Sequence, residues 1–299
     1  MIGNLLKRAA PTHFATKYEL GHDRAFHLLE ARRGRGKSYT MAYWALKVAR
    51  KKVPVVANFH FNHDWLARQL VKDKVFKSID EALDWCAENI RFVNTWDEIM
   101  LSYDCLILLD EVNRLFDSQD RSKDEKAPKV VFEWLQLSRR NRITLVFAAQ
   151  SMDWLTPRVR QLFDNLWRAK KELYPKGRLR GQIKQFWLYG ADPWSKGLNA
   201  GVVRDADYKA TIPFDAAIFR LYDTFERIQA IPNESSFARF YDIYEYQLAN
   251  GIVPPPPAPR PRGLTHAEYE ALWEDCHARV AEPVSAVREQ VRPRVREVV

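Results

Sequence analysis

The chain has 299 residues, 46% of them hydrophobic, with a net charge of +9 and a sequence pI near 9.4. That is enough for one large or two small domains around a packed core, and the positive excess favours polyanionic partners. Three scattered cysteines, Cys86, Cys105 and Cys276, argue against a disulfide framework or a zinc site. No stretch approaches the length of a membrane span, and the apolar run near Met1 is too short for a signal peptide.

From Ala25 to about Lys170 the chain alternates strand-like and helix-like segments. Ala25–Glu30 is an apolar run of strand character, and Lys37–Lys51 has helical spacing, with Met41, Trp44, Ala45 and Val48 on one face. Between them, Ala31–Ser38 read A-R-R-G-R-G-K-S. Strand, glycine loop and helix form the context that a Walker A phosphate loop requires. Gly34 and Gly36, lacking Cβ, can turn successive amides toward one centre, and the helix N-terminus adds partial positive charge there. Such a loop would hold a nucleotide through Arg33, Gly34, Arg35, Gly36, Lys37, Ser38 and Tyr39. Lys37 is expected to reach the β- and γ-phosphates, and Ser38 to offer its hydroxyl to Mg²⁺. The first position of the pattern is Ala31 instead of glycine, small enough to pack but costly if positive φ is needed. The competing reading is a basic surface turn with no ligand.

Val53–Asn58 reads as a strand, Ser78–Asn89 as an amphipathic helix opening on a capping-box-like S-I-D-E, and Ile90–Asn94 as another strand. Cys105–Leu109 is uniformly apolar, as in a parallel strand covered on both faces. Asp110 and Glu111 stand at its C-terminal end, where open α/β sheets place their ligands. This is the Walker B arrangement: Asp110 suits Mg²⁺, and Glu111 suits orienting and partly deprotonating the attacking water. Two adjacent acids closing a strand are otherwise often a solvated helix start.

Ser118–Lys126 reads as a charged loop and Lys129–Leu137 as a helix running into S-R-R-N-R. Arg140 there is a candidate arginine finger for a neighbouring subunit. The alternatives are simple compensation of a helix C-terminus or a contact to nucleic acid or anionic lipid. Ile143–Ala149 is a further buried strand ending at Gln150, which suits a γ-phosphate sensor or an ordinary strand cap. Pro157–Phe163 resembles a short helix with proline at its first position.

Asn165–Gly190 looks like a hairpin turning at Tyr174–Gly177, its arms carrying Lys170, Lys171, Lys176, Arg178, Arg180 and Lys184. Together with Trp167, Tyr174, Phe186 and Trp187 these cations could touch nucleic acid by charge and stacking. More often such aromatics pack the inner face. Residues 254–262 form a polyproline linker, and Thr265–Ala281 has the spacing of one amphipathic helix, marginal alone and suited to docking on a partner or second subunit. The Arg- and Val-rich end reads as disordered.

The expected class is α/β, a P-loop NTPase with a mostly parallel sheet sandwiched by helices, taking ATP and Mg²⁺. The division is a 1–24 extension, a 25–250 ATPase domain, a 251–263 linker and a 264–299 helical tail.

Taken in order, these pieces resemble the zonular occludens toxin-like (Zot-like) assembly ATPases of filamentous phages. The resemblance rests on R-G-K-S, V-P-V-V-A-N ending at Asn58, L-I-L-L-D-E followed by Val112–Phe116, and the arginine-rich turn before Gln150. L-T-P-R-V-R-Q-L and Ile218–Thr224 (I-F-R-L-Y-D-T) complete it, over roughly Phe26 to Arg227. The resemblance implies an ATPase that drives single-stranded DNA phage through the host inner membrane, as a homo-oligomeric ring working from the host cytoplasm with phage assembly or inner-membrane proteins. It also implies ATP bound by Gly34, Gly36, Lys37 and Ser38, Mg²⁺ by Asp110, water by Glu111 and the γ-phosphate by Gln150. Typical members carry a membrane-spanning segment after the ATPase domain, a position taken here by the polyproline linker and a polar helix. That leaves room for a DNA-packaging ATPase of a membrane-containing icosahedral phage, peripheral to the membrane or virion-associated. Two other classes stay open: a nucleotide-switched interaction module with little turnover, and a small-molecule kinase, against which the acid pair and Gln150 argue.

Overall fold

The computed structural model describes residues 24–116, 128–191, 208–222, 231–232, 234–254 and 271. The 1–23 stretch, the Ser118–Lys126 loop, most of the proline linker and the C-terminal helix lie outside the described residues.

The apolar runs pair into one eight-stranded sheet. In chain order the strands are β1 (Phe26–Glu30), β2 (Val55–Ala57), β3 (Ile90–Phe92), β4 (Leu106–Leu109), β5 (Thr144–Ala149), β6 (Asn165–Leu173), β7 (Ile183–Ala191) and β8 (Tyr208–Pro213). Their order across the sheet is β3-β2-β4-β5-β1-β6-β7-β8, parallel from β3 to β6 and antiparallel from β6 to β8. The hairpin anticipated at Asn165–Gly190 is therefore no appendage. Its first arm is the last parallel strand of the main sheet, and its second arm carries a further strand, β8, that the sequence did not announce.

The helices are α1 (Lys37–Ala49), α2 (His63–Lys72), α3 (Ile79–Asn89), α4 (Trp96–Met100), α5 (Lys129–Leu137), α6 (Pro157–Arg160), α7 (Ala216–Phe219) and α8 (Phe240–Ala249). The side-chain period of two divides each central strand between the two faces. On one face Leu29, Val55, Ala57, Leu106, Leu108, Val146 and Ala148 join a core with Met41, Trp44, Ala45 and Val48 of α1 and Leu66 and Leu70 of α2. On the other, Phe147 meets Phe26 edge-on with ring centres 4.7 Å apart and stacks on Phe116 at 5.5 Å. Phe116 in turn packs on Phe132 of α5 and Trp96 of α4. Covering on both faces explains why β4 reads as an unbroken apolar run.

The chain divides into two compact units, Met1–Glu234 and Ser235–Val299. This boundary falls inside the 25–250 span expected for one domain, and assigns α8 to the second unit. There, the Asp242 carboxylate accepts the Arg239 amide and guanidinium at the start of α8, and Phe237 meets Tyr246 edge-on. Among the described residues, no helix is long and apolar enough to cross a membrane.

Candidate functional site

β1 delivers the chain to the C-terminal edge of the parallel strands, and the Ala31–Ser38 loop turns there into α1. Ala31 is buried and donates its amide to Ala149 O at 3.0 Å. It is not among the residues with positive φ, so alanine costs the loop nothing at that position. Gly36 does need to be glycine. Its φ is +100°, and a Cβ there would collide with the ring of Phe186 on β7. Gly36 caps α1 without a side-chain acceptor, and the first turn holds no acid, so the leading amides of the helix keep their partial positive charge for an anion.

The acids arrive from β4. Asp110 Oδ1 receives Lys37 Nζ at 2.7 Å, and Oδ2 receives the Ser38 hydroxyl at 3.4 Å. Asp110 is held unusually well for a loop acid. Its N–H donates to Asn58 Oδ1 at 2.8 Å, and Asn58 Nδ2 donates back to Asp110 O at 3.0 Å. Asn58 is buried at the end of β2, beside β4 in the sheet. This two-way clamp is a site feature that sequence reasoning missed; a buried asparagine closing an apolar strand was the available signal.

Glu111 follows with φ 53° and ψ 38°, the left-handed region that costs a side-chain-bearing residue on the order of 1 kcal/mol or more. Its amide donates to Asp110 Oδ1 at 2.7 Å, and its carboxylate takes Arg114 Nε at 2.9 Å. Gln150, half-buried, closes β5 between the tips of β1 and β4, so it shares the edge with Lys37 and the acids.

Tyr39 turns its side chain away from the loop, and Arg140, expected to act on a neighbouring subunit, lies remote from its own loop. The Tyr39 ring turns into the core, 1% exposed, stacking on Phe186 at 4.4 Å and packing on Phe219 at 4.9 Å. Its hydroxyl donates to Pro213 O and accepts the Asp215 amide, both at 2.8 Å, and burial pushes the phenol up to about 12. As a nucleotide ligand Tyr39 is thus restricted to its backbone, because its side chain fastens α1 to the segment after β8. Arg140 is exposed in the turn that leads into β5, at the opposite end of that strand from Gln150. About six residues of strand, on the order of 20 Å, lie between them. Arg140 therefore cannot serve its own loop. Arg33 and Arg35 stand exposed on the arch of the loop.

The aromatics of the hairpin are mostly engaged. Trp167 and Phe186 are buried, Trp167 donating to His27 Nδ1 at 3.2 Å, while Trp187 donates to Glu172 at 2.6 Å. The packing reading holds for Trp167 and Phe186, while Trp187 and Tyr174 are half-buried.

A hydroxyl, a carboxylate and an ammonium converging beneath a helix N-terminus form a donor set that fits a magnesium–triphosphate. Ser38 and Asp110 could offer hard oxygens to a metal ion, and Lys37 with the loop amides could offer positive charge to phosphate. The fold and loop define the class: an α/β P-loop NTPase. The family model described as zonular occludens toxin (Zot) matches residues 26–181, and the chain belongs to this family. The matched region stops short of Ile218–Thr224. Of that last piece, Leu221 O accepts the Asn62 amide and Tyr222 bridges to Phe61.

Among curated proteins, none matches this chain. Solved structures similar to it include the N-terminal domain of zonular occludens toxin from Neisseria meningitidis, 15% identical, covering 67% of this chain and 98% of that one with a TM-score of 0.39. The genome packaging NTPase B204 from Sulfolobus turreted icosahedral virus 2, in complex with ATP-γS, is 14% identical over 63% of this chain and 96% of its own, TM-score 0.32. The flagellar accessory protein FlaH from Methanocaldococcus jannaschii is 11% identical over 56% and 78%, TM-score 0.38.

Proposed function

We propose that the chain is an ATP-hydrolysing motor of phage morphogenesis, coupling turnover to the extrusion or packaging of DNA. The observation that carries it is the meeting of Lys37, Ser38 and Asp110 at one sheet edge with Glu111 and Gln150, in a chain of the Zot family.

ATP supplies the transferable phosphoryl group, and Mg²⁺ offsets charge on its phosphates. The protein's share is positional. Lys37 would leave Asp110 for phosphate oxygens, which frees Asp110 to join Ser38 as a magnesium ligand. Asn58 holds the Asp110 backbone in place while its carboxylate changes partner. Glu111, released from Arg114, would align and partly deprotonate the attacking water. Gln150 would read the γ-phosphate from between the two motifs. Arg140, remote from its own loop, would act only on a neighbouring protomer in a homo-oligomeric ring. The basic arm of β6 and β7 would contribute charge toward DNA, with Trp167 and Phe186 packed inside. The motor would work from the host cytoplasm, peripheral to the inner membrane or with the virion, alongside phage assembly proteins.

One observation favours a second reading. Glu111 is engaged by Arg114 in a strained backbone, as suits a nucleotide-switched scaffold with little turnover. A single series separates the two. Native mass and ATP turnover are measured for the wild type, Glu111→Gln and Lys37→Ala, with and without single-stranded DNA. For the motor, DNA stimulates wild-type turnover, Glu111→Gln forms an ATP-dependent oligomer that binds DNA but turns over at least about a hundredfold more slowly, and Lys37→Ala does neither. Turnover indifferent to DNA, with Glu111→Gln fully functional, overturns the motor in favour of the scaffold.

A further inference from the structure

Beyond Arg168, β6 leaves the parallel sheet. Its pairing with β1 ends at Glu30↔Arg168, whereas its pairing with β7 continues through Leu173↔Ile183. Five residues of strand, Ala169–Leu173, thus carry the turn on the order of 16 Å past the last β1 contact, on the edge that bears the Ala31–Ser38 loop. The turn is held by its own backbone: Tyr174 N to Gln182 O at 3.0 Å, Gly181 N to Tyr174 O at 3.0 Å, Arg180 N to Gly177 O at 3.1 Å.

This tip combines charge and apolar surface. Lys176, Arg178 and Arg180 are exposed, and Leu173–Ile183 holds no acid to pair with them. The nearest acid, Glu172, is taken by Gln185, Trp187 and Lys184. Framing the same cations, Leu173 is 42% exposed and Leu179 44%. Six large hydrophobic side chains are exposed among the described residues, and two of them lie in this turn. Isolated exposed leucines need no explanation, but two leucines around three exposed cations on a projecting turn do.

We infer that the β6–β7 tip is a docking element for an anionic lipid surface. Cations beside a charged bilayer are attracted by its surface potential, and aliphatic side chains at the same level gain by entering the headgroup boundary. Nucleic acid fits the tip less well. It would use the cations but has no use for Leu173 or Leu179, and of the four aromatics on the arm Trp167 and Phe186 are buried and Trp187 is held by Glu172, which leaves Tyr174, half-buried, at the tip. The inference does not depend on ATP turnover.

The test uses the full chain in flotation with vesicles of phosphatidylglycerol and phosphatidylcholine in equal parts, with phosphatidylcholine vesicles and single-stranded DNA as the other arms. The variants are Leu173→Ser with Leu179→Ser, which keeps every charge, and Lys176→Gln with Arg178→Gln and Arg180→Gln, which keeps the leucines. Melting curves confirm that both fold. The wild type should float with anionic vesicles only, and each variant should lose at least about tenfold in partitioning. The leucine variant should bind DNA as the wild type does. A wild type that does not float overturns the inference. So does a leucine variant that floats undiminished, and cation loss that weakens DNA binding alone would make the tip a nucleic-acid surface.

Discussion

At the scale of single residues, the site depends on one carboxylate being held from two directions. Asp110 takes Lys37 and Ser38 on its side chain and Asn58 on its backbone. Lys37, Ser38 and Asp110 were readable because their spacing around glycines and an apolar strand is itself the chemistry. Asn58 was not, because its role exists only once β2 lies beside β4 and brings it to a residue 52 positions away. Removing it leaves a buried N–H and C=O unpaired. Asn58→Ala should therefore lower the unfolding free energy by about 1–3 kcal/mol in a urea titration, and should also weaken magnesium–nucleotide binding in calorimetry. Lost stability with unchanged nucleotide affinity would confine Asn58 to folding. Glu111 shows the opposite pattern. Its residue type was legible, but its left-handed backbone and its Arg114 partner were not, since both follow from the short turn Val112–Arg114.

At the scale of elements, the loop is positioned from below by Phe186 and Tyr39. Phe186 of β7 lies against Gly36 and stacks on Tyr39, and the Tyr39 hydroxyl is tied to Pro213 and Asp215 at and beyond the end of β8. The antiparallel extension thus supports the loop that the parallel strands present. Phe186→Ala should cost about 3–5 kcal/mol and raise the nucleotide dissociation constant at least severalfold. Leu135→Ala on α5 should cost about 2–5 kcal/mol and leave the dissociation constant where it was. Equal effects on affinity would mean that Phe186 acts through general stability alone. Long periodic elements such as α1, α3, α5, β4 and β5 were visible in the sequence, their ends shifted by a residue or two. So were short ones bounded by turn signals, β2 within Val53–Asn58, β3 within Ile90–Asn94 and α6 within Pro157–Phe163, whereas α2, α4, α7, α8 and β8 were not. α2 buries only Leu66, Ala67, Gln69 and Leu70, and begins at Asn62, whose side chain accepts the Trp65 amide; that cap was the usable signal. β8 is held by pairing with β7, an interaction without a local pattern.

At the scale of the whole molecule, strand order is what the sequence withheld. Chain order places β5 after β4, and only the sheet shows it inserted between β4 and β1, which sets Gln150 between the loop and the acids. Covering that sheet on both faces also buries groups that ionise in alkali. Burial pushes Tyr39 and Tyr103 up to about 12, Cys86 and Cys105 to about 12, and Tyr222 well above the ordinary phenol range. In the unfolded chain the phenols release their protons at about pH 10 and the thiols at about pH 8.5. Between about pH 9 and 12 the native state therefore binds more protons than the unfolded state, and stability must fall as pH rises. It is fully present below about pH 8, and each group shifted by about two units contributes on the order of 3 kcal/mol that is lost by pH 12. The urea midpoint should accordingly hold steady to about pH 8 and decline above it. Tyrosinate absorbance from Tyr39, Tyr103 and Tyr222 should be withheld until circular dichroism reports unfolding. All tyrosines titrating near about pH 10 with the fold intact would show that these three are open to solvent, and with them the packing that holds Gly36 against Phe186.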